Sequence, residues 1–86
     1  MPEIARFYGI IIAMYYDDHN PPHFHARYGD ESVVVSIDAL AILEGQMLPR
    51  ALGLVIEWAS QHKNELMEDW ELVRTNQVPN KITPLK

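Results

Sequence analysis

The sequence predicts an α+β fold, in which a three- to four-stranded antiparallel sheet is followed by one long helix packed on one sheet face. In the first half of the chain, β-branched and aromatic residues cluster in short segments that turn residues separate. From Pro49 onward, apolar residues recur instead at steps of three and four, which is the period of a helix. A sheet followed by a helix that covers it makes a two-layer domain.

The strands are predicted from residue type and from the turns between them. Residues 7–16 are almost continuously apolar or aromatic, which predicts a first strand with both faces covered. Residues 23–28 predict a second strand, because two prolines precede it and do not interrupt it. Gly29 and Asp30 mark a hairpin turn to a third strand at 32–37. Residues 41–43 predict a short fourth strand.

The helix is predicted over residues 48–75, with Pro49 in its first turn, where a missing N–H is tolerated. Its length exceeds the usual ~8–20 residues, so a kink near Asn64 or two shorter helices fits the pattern as well. Its apolar stripe consists of Leu48, Leu52, Val55, Ala59, Leu66, Trp70 and Val73, with His62 as the polar member. We expect His62 to be partly buried with a hydrogen-bond partner, and Trp58 to lie at the edge between sheet and helix.

The end of the chain, residues 77–86, is predicted to be an extended tail. Pro79 and Pro84 prevent a helix there, and Ile82 and Leu85 are its apolar anchors. With 86 residues, the chain has room for one domain, which we expect to span 1–86, with the sheet in 1–45.

Composition and charge argue against several classes of protein. Seven basic and twelve acidic residues give a net charge of −5, so we do not expect nucleic acid as a direct partner. No apolar run reaches the ~18 residues of a membrane span. The absence of cysteine excludes a thiolate metal site, and together with the lack of a secretory signal it predicts a cytoplasmic protein. No serine lies in a G-x-S-x-G motif, so enzymatic activity is not the first expectation.

Three of the four histidines fall within seven residues. Strand alternation places His23 and His25 on one face, with Cα atoms about 6.6 Å apart. His19 lies across the Pro21-Pro22 turn and is in a position to fold back toward them. Three imidazoles are one way to build a zinc or iron site, with Asp18 as a further ligand or as an acceptor for a ring N–H. His19, His23 and His25 are therefore the candidate metal ligands.

The same segment has a second interpretation, in which Asp18, Asn20, Arg27 and Tyr28 belong to a surface for a partner or an anion. Arg27 shares a face with the two strand histidines, and together they would bind phosphate or carboxylate. Alternatively, Arg27 pairs across the sheet with Asp30, Glu31 or Asp38, as an ordinary surface arginine does. Stacking of a nucleic-acid base on this strand is a weaker alternative, which the charge of −5 opposes.

Quaternary structure is predicted from the coverage of the sheet. One helix covers one sheet face well and leaves the other exposed, which favours a partner chain, most simply a second copy.

Several motifs along the chain carry a resemblance to a known family. They are the opening MPEIARFYGI, the segment DHNPPHFHA at 18–26, LEG at 43–45, Trp58 and the ending KITPL at 81–85. In these the chain resembles domain-of-unknown-function family 4160, a family of small bacterial proteins. The resemblance implies no established activity. It implies a protein partner, because members are often encoded beside another small protein, in what has been suggested to be a toxin–antitoxin-like pair.

The residues that match the family motif are His19, Asn20, His23, His25, Ala26 and Gly29. A site shared by the family should include them. Two hypotheses follow for this chain. It is a non-enzymatic interaction module, or it is a metal-binding protein, such as a zinc-dependent hydrolase in which Asp18 is the base.

Overall fold

The computed structural model describes residues 2–16 and 19–86. Five strands are followed by two helices, which confirms the α+β class. The elements are β1 (Glu3–Phe7), β2 (Ile10–Ala13), β3 (His23–Tyr28), β4 (Glu31–Ser36), β5 (Ile42–Gln46), α1 (Pro49–Gln61) and α2 (Lys63–Arg74). The sheet order is β1-β2-β3-β4-β5, and each strand pairs antiparallel with its neighbour in sequence.

The predicted number of strands is wrong because residues 7–16 do not form one strand. Tyr8 and Gly9 both adopt positive φ, 49° and 80°, and they form the two-residue turn between β1 and β2. Positive φ at both positions is the signature of a type I′ turn, which matches the twist of the two strands. The apolar run therefore supplies the end of one strand and the whole of the next.

The rest of the sheet is close to the prediction. β3 has the predicted bounds, the Gly29-Asp30 hairpin is present, and the short fourth strand exists as β5, which ends three residues later than expected. β5 is irregular, since its pairing with β4 shifts between Val34 and Val35. Gly45 adopts a φ of 82°, and a Cβ there would lie 2.2 Å from the Ser32 carbonyl oxygen. Only glycine fits this close approach of two backbones.

The prediction of one long helix is also wrong, and the alternative prediction of two shorter helices is confirmed. The break falls at His62, whose φ of −131° is not helical. Its ring Nδ1 donates to Glu65 Oε1 at 2.6 Å in the first turn of α2, and the ring lies 5.4 Å from that of Trp58. His62 is thus half-buried with a partner, as predicted.

The core lies between the helices and one side of the sheet, which we call the covered face. Its largest fully buried side chains are Trp58, Trp70, Phe24, Ile4, Ile10, Ile12, Met14, Ile37, Leu66, Val33, Val35 and Val55. Trp58 packs against Phe7 and Phe24 in the middle of this core, so its expected place at the edge is wrong. Leu48, expected in the helix stripe, precedes α1 and is exposed.

The tail runs along the outer side of β1 with no helix or strand of its own, as predicted. The Ile82 N–H donates to the Ile4 carbonyl at 2.8 Å, and the Ile82 side chain is buried. Trp58 Nε1 donates to the Thr83 carbonyl at 2.8 Å. These bonds tie the last residues to the sheet and to α1. No helix in the described part of the chain is long and apolar enough to cross a membrane.

The opposite side of the sheet is the open face. Strand register places two rows of side chains on it. They are Arg6, Ile11, Arg27, Ser32 and Gln46 in the first row, and Ala13, His25, Val34 and Glu44 in the second. Glu3, opposite Ala13, also belongs to the second row. Neither row is dominated by large apolar side chains, so the open face is mixed in character.

Candidate interaction surfaces

The histidine-rich corner is held by backbone bonds and by packing. The Ile37 N–H donates to the Pro22 carbonyl at 3.0 Å, which fixes the proline turn beside β4. His23 is buried, its Nδ1 donates to the Pro21 carbonyl at 2.7 Å, and its ring lies 5.1 Å from that of Trp70. His23 therefore contributes to the packing of the corner as well as to any site there.

The other two histidines lie beside it. The ring centroids of His23 and His25 are 5.3 Å apart, and the His25 ring meets that of Tyr15 edge-on at 4.3 Å. His19 is exposed. All three histidines line one open depression of about 360 Å³, together with Asn20, Pro21, Val34, Leu43 and Glu44.

The predicted metal ligands thus share a depression, but their geometry is not that of a formed metal site. Within residues 2–16 and 19–86, no three His, Asp or Glu side chains are grouped as ligands of one ion. Asp18, the predicted fourth participant, lies outside the described residues.

Arg27 lines a second pocket, of about 200 Å³, on the open face. The other lining residues are Ile11, Ala13, Tyr15, His25, Ala26 and Ser32. The alternative in which Arg27 pairs with Asp30, Glu31 or Asp38 does not occur among the contacts of the described chain. Among the described residues, the lining of this pocket therefore includes a guanidinium and no carboxylate.

Tyr28 lies away from Arg27, at the end of the sheet where two hairpins turn. There it forms, with Tyr8, Leu48 and Arg50, what we call the hairpin-end surface. Tyr8 is 59% exposed, Leu48 57% and Tyr28 37%, which makes this a cluster of exposed large apolar side chains. The four residues line a pocket of about 420 Å³ together with Ile10, Ala51 and Leu54.

One hydrogen bond and one packing contact connect the elements that form the hairpin-end surface. Glu31 Oε1 accepts a hydrogen bond from the Leu48 N–H at 2.9 Å, which ties the start of α1 to the β3–β4 hairpin. The Tyr28 ring lies against Gly9, where an added Cβ would meet two ring carbons at 3.4 and 3.8 Å. The two hairpins and the helix start are thus joined at this surface.

The four arginines divide into two pairs. Arg6 binds Glu3 at 2.8 Å, and Arg74 binds Glu71 at 3.2 Å. Arg27 and Arg50 have no ion pair within the described residues, although acidic residues outnumber basic ones by twelve to seven. Each of these two arginines lines a pocket.

Asp69 is a buried carboxylate on α2 that the sequence did not indicate. Its Oδ1 accepts a hydrogen bond from the Asn80 N–H at 2.9 Å, while Oδ2 has no hydrogen-bond partner in the part of the chain that the structure describes. Burial raises the pKa of Asp69 to about 6, and the neighbouring Glu68 and Glu65 carboxylates add to the rise. Asp69 binds the tail, and its role is structural.

Sequence reasoning missed Tyr8, Leu48 and Arg50 as surface residues. The signal for Tyr8 was the glycine that follows it between two apolar runs, which is a hairpin pattern. Leu48 and Arg50 gave no such signal, because they lie in a segment whose apolar period indicates the helix core.

Comparison with known proteins places the chain in a family and goes no further. No curated protein and no solved structure matches it. Residues 9–71 match the family model described as a domain of unknown function, DUF4160. That segment holds the histidine-rich corner, the Arg27 pocket and most of the hairpin-end surface. The match covers well over half of the sequence, and the chain belongs to the DUF4160 family.

Proposed function

We propose that the protein is a non-enzymatic interaction module that binds a partner protein through its hairpin-end surface. The observation that carries this proposal is the clustering around one pocket of two exposed tyrosines, an exposed leucine and an arginine that has no ion pair with any described residue. Tyrosine and arginine are among the residues that contribute most to protein–protein binding energy.

The backbone of Tyr8 supports the same surface. A non-glycine residue at positive φ costs about 1–2 kcal/mol, and asparagine or glycine is favoured at this turn position. The Tyr8 ring is mostly exposed, so folding recovers little of that cost through burial. A strained residue that does not serve packing is a candidate for binding.

The chemistry of the pocket defines the partner segment that fits it. The lining is apolar apart from the tyrosine hydroxyls and Arg50, which is its one charged residue. The matching segment presents an apolar anchor side chain with a carboxylate next to it. We propose the product of the adjacent gene as the protein that carries this segment, as in a toxin–antitoxin-like pair.

The test is co-expression with that gene product, co-purification, and calorimetric measurement of the dissociation constant. Y8N and R50Q should each weaken the complex by about 1–3 kcal/mol. R74Q is the matched control, because Arg74 is also exposed but binds Glu71 on α2. The absence of a complex, or equal losses in all three variants, would refute the proposal.

A second copy of the chain is the competing occupant. Sedimentation of the isolated protein over a range of concentrations distinguishes the two. A dimer that Y8N dissociates would assign the hairpin-end surface to self-association and remove the partner protein from it.

A second candidate function is the binding of a divalent metal such as zinc by the histidine-rich corner. It is supported by the depression that His19, His23 and His25 share. The test is elemental analysis of protein without a histidine tag before and after zinc addition. H25A should lose bound zinc, and H62A, on the far helix break, should keep it. Substoichiometric zinc in the wild type would exclude this candidate.

A further inference from the structure

The Arg27 pocket is built from three adjacent strands of the open face. β2 contributes Ile11 and Ala13, β3 contributes His25 and Arg27, and β4 contributes Ser32. Tyr15, which follows β2, closes one side and holds the His25 ring edge-on at 4.3 Å. The pocket therefore has an apolar base with polar groups around it.

The neighbours of Arg27 in the sheet include no carboxylate. Register places Ile11 on one side of it and Ser32 on the other, with His25 two residues before it on the same strand. Among the described residues of this face, the register places two acidic side chains in the next row, Glu44 of β5 opposite Val34 and Glu3 of β1 opposite Ala13. Adjacent strands are about 4.8 Å apart, so two strand spacings separate β3 from the strand of each of these residues. Glu3 is moreover bound to Arg6. The guanidinium, with five N–H donors, is left facing the pocket.

From this arrangement we propose that the pocket binds a carboxylate group, with Arg27 as the principal ligand and the Ser32 and Tyr15 hydroxyls as neighbouring donors. A guanidinium binds a carboxylate through two parallel hydrogen bonds, which lysine cannot reproduce. The volume of about 200 Å³ accommodates a carboxylate with a few attached carbons. A phosphate dianion fits less well, because the chain's net charge of −5 repels two negative charges more strongly than the single charge of a carboxylate.

The test uses the full chain and NMR titration of the Arg27 side-chain N–H and the Ser32 amide. Sodium acetate should produce saturating shifts at both groups, beyond those from sodium chloride at equal ionic strength. R27Q should weaken acetate binding about tenfold or more, which is the loss expected for charge-assisted hydrogen bonds. R27K should weaken it to a smaller extent, because the charge stays and the planar fork is lost.

R74Q is the control and should bind acetate like the wild type. Arg27 is exposed, so R27Q should fold, and R27K provides the same comparison if it does not. Acetate shifts no larger than those from chloride, or equal affinities in R27Q and the wild type, would overturn the proposal. Tighter binding of phosphate than of acetate would overturn the assignment to a carboxylate.

The source of the carboxylate is distinguished in a parallel titration with an end-blocked peptide that contains a single glutamate. Tighter binding of the peptide than of acetate supports an acidic protein segment, and equal or weaker binding supports a free small carboxylate. The pocket shares no residue with the hairpin-end surface, so the two proposals fail or succeed independently.

Discussion

The two faces of the sheet are made by alternate residues of the same strands but have different environments. In β3, Phe24 and Ala26 on the covered face are fully buried, whereas Arg27 on the open face is exposed. Phe24 packs against Trp58, while Arg27 has no ion pair among the described residues. The covered face supplies the stability of the fold, and the open face and the hairpin ends are the surfaces to which we assign binding in our proposals.

The largest expected effect is on the covered face. F24A should lower the free energy of unfolding by about 3–5 kcal/mol, because it leaves a cavity beneath Trp58. R27A, three residues later, should change it by no more than about 0.5 kcal/mol. Urea unfolding of both variants measures the difference. Comparable losses of unfolding free energy in F24A and R27A would show that the covered face does not contribute more to stability than the open face.

The buried carboxylate on the helix side is expected to make stability depend on pH. The pKa of Asp69 rises from 3.8 to about 6 on folding, so the native state holds this proton more tightly than the unfolded state. Stability should therefore fall as the pH rises from about 4 to about 6, by roughly 2–3 kcal/mol in total.

The matched variant for this prediction is D69N, which keeps an oxygen acceptor for the Asn80 N–H and removes the titration. Unfolding of both proteins across this pH range isolates the contribution of Asp69. A constant difference in stability between wild type and D69N from pH 4 to 7 would refute it.

The smallest expected effect is at the hairpin-end surface. Y8N creates an Asn-Gly pair in the type I′ turn and should raise the free energy of unfolding by about 0.5–1 kcal/mol. Thermal unfolding of Y8N and the wild type shows whether the substitution raises or lowers stability. A loss of stability instead would mean that the Tyr8 ring serves the fold, for example through its edge contact with Phe7, whose ring centroid lies 6.5 Å away.

The sequence was sufficient for the parts of the fold that local chemistry specifies. The bounds of β3 follow from the prolines before it and the glycine after it, and Pro49 marks the start of α1. The first hairpin was missed, because a tyrosine at positive φ is atypical and its neighbours are uniformly apolar. The break at His62 contains neither proline nor glycine, and the side chains around it, Glu65 and Trp58, come from both helices.

The candidate sites, like the fold, could be predicted from the sequence only where neighbouring residues determine them. Alternation along β3 was enough to place Arg27 beside His25 on one face. The hairpin-end surface could not be predicted from the sequence, because two turns and a helix start that are far apart in sequence bring Tyr8, Tyr28 and Arg50 together. From the sequence alone, pairing of Arg27 with an acidic residue was the favoured expectation, but the register places Ile11 and Ser32 beside it.

The most direct test of the account is amide hydrogen exchange on the protein alone and in complex with the product of the adjacent gene. We predict slower exchange in the complex at residues 8–10, 28–30 and 48–54, with α2 and the tail unchanged. Protection confined to α2 or to the tail, with those three segments unaffected, would contradict the assignment of the hairpin-end surface as the binding surface.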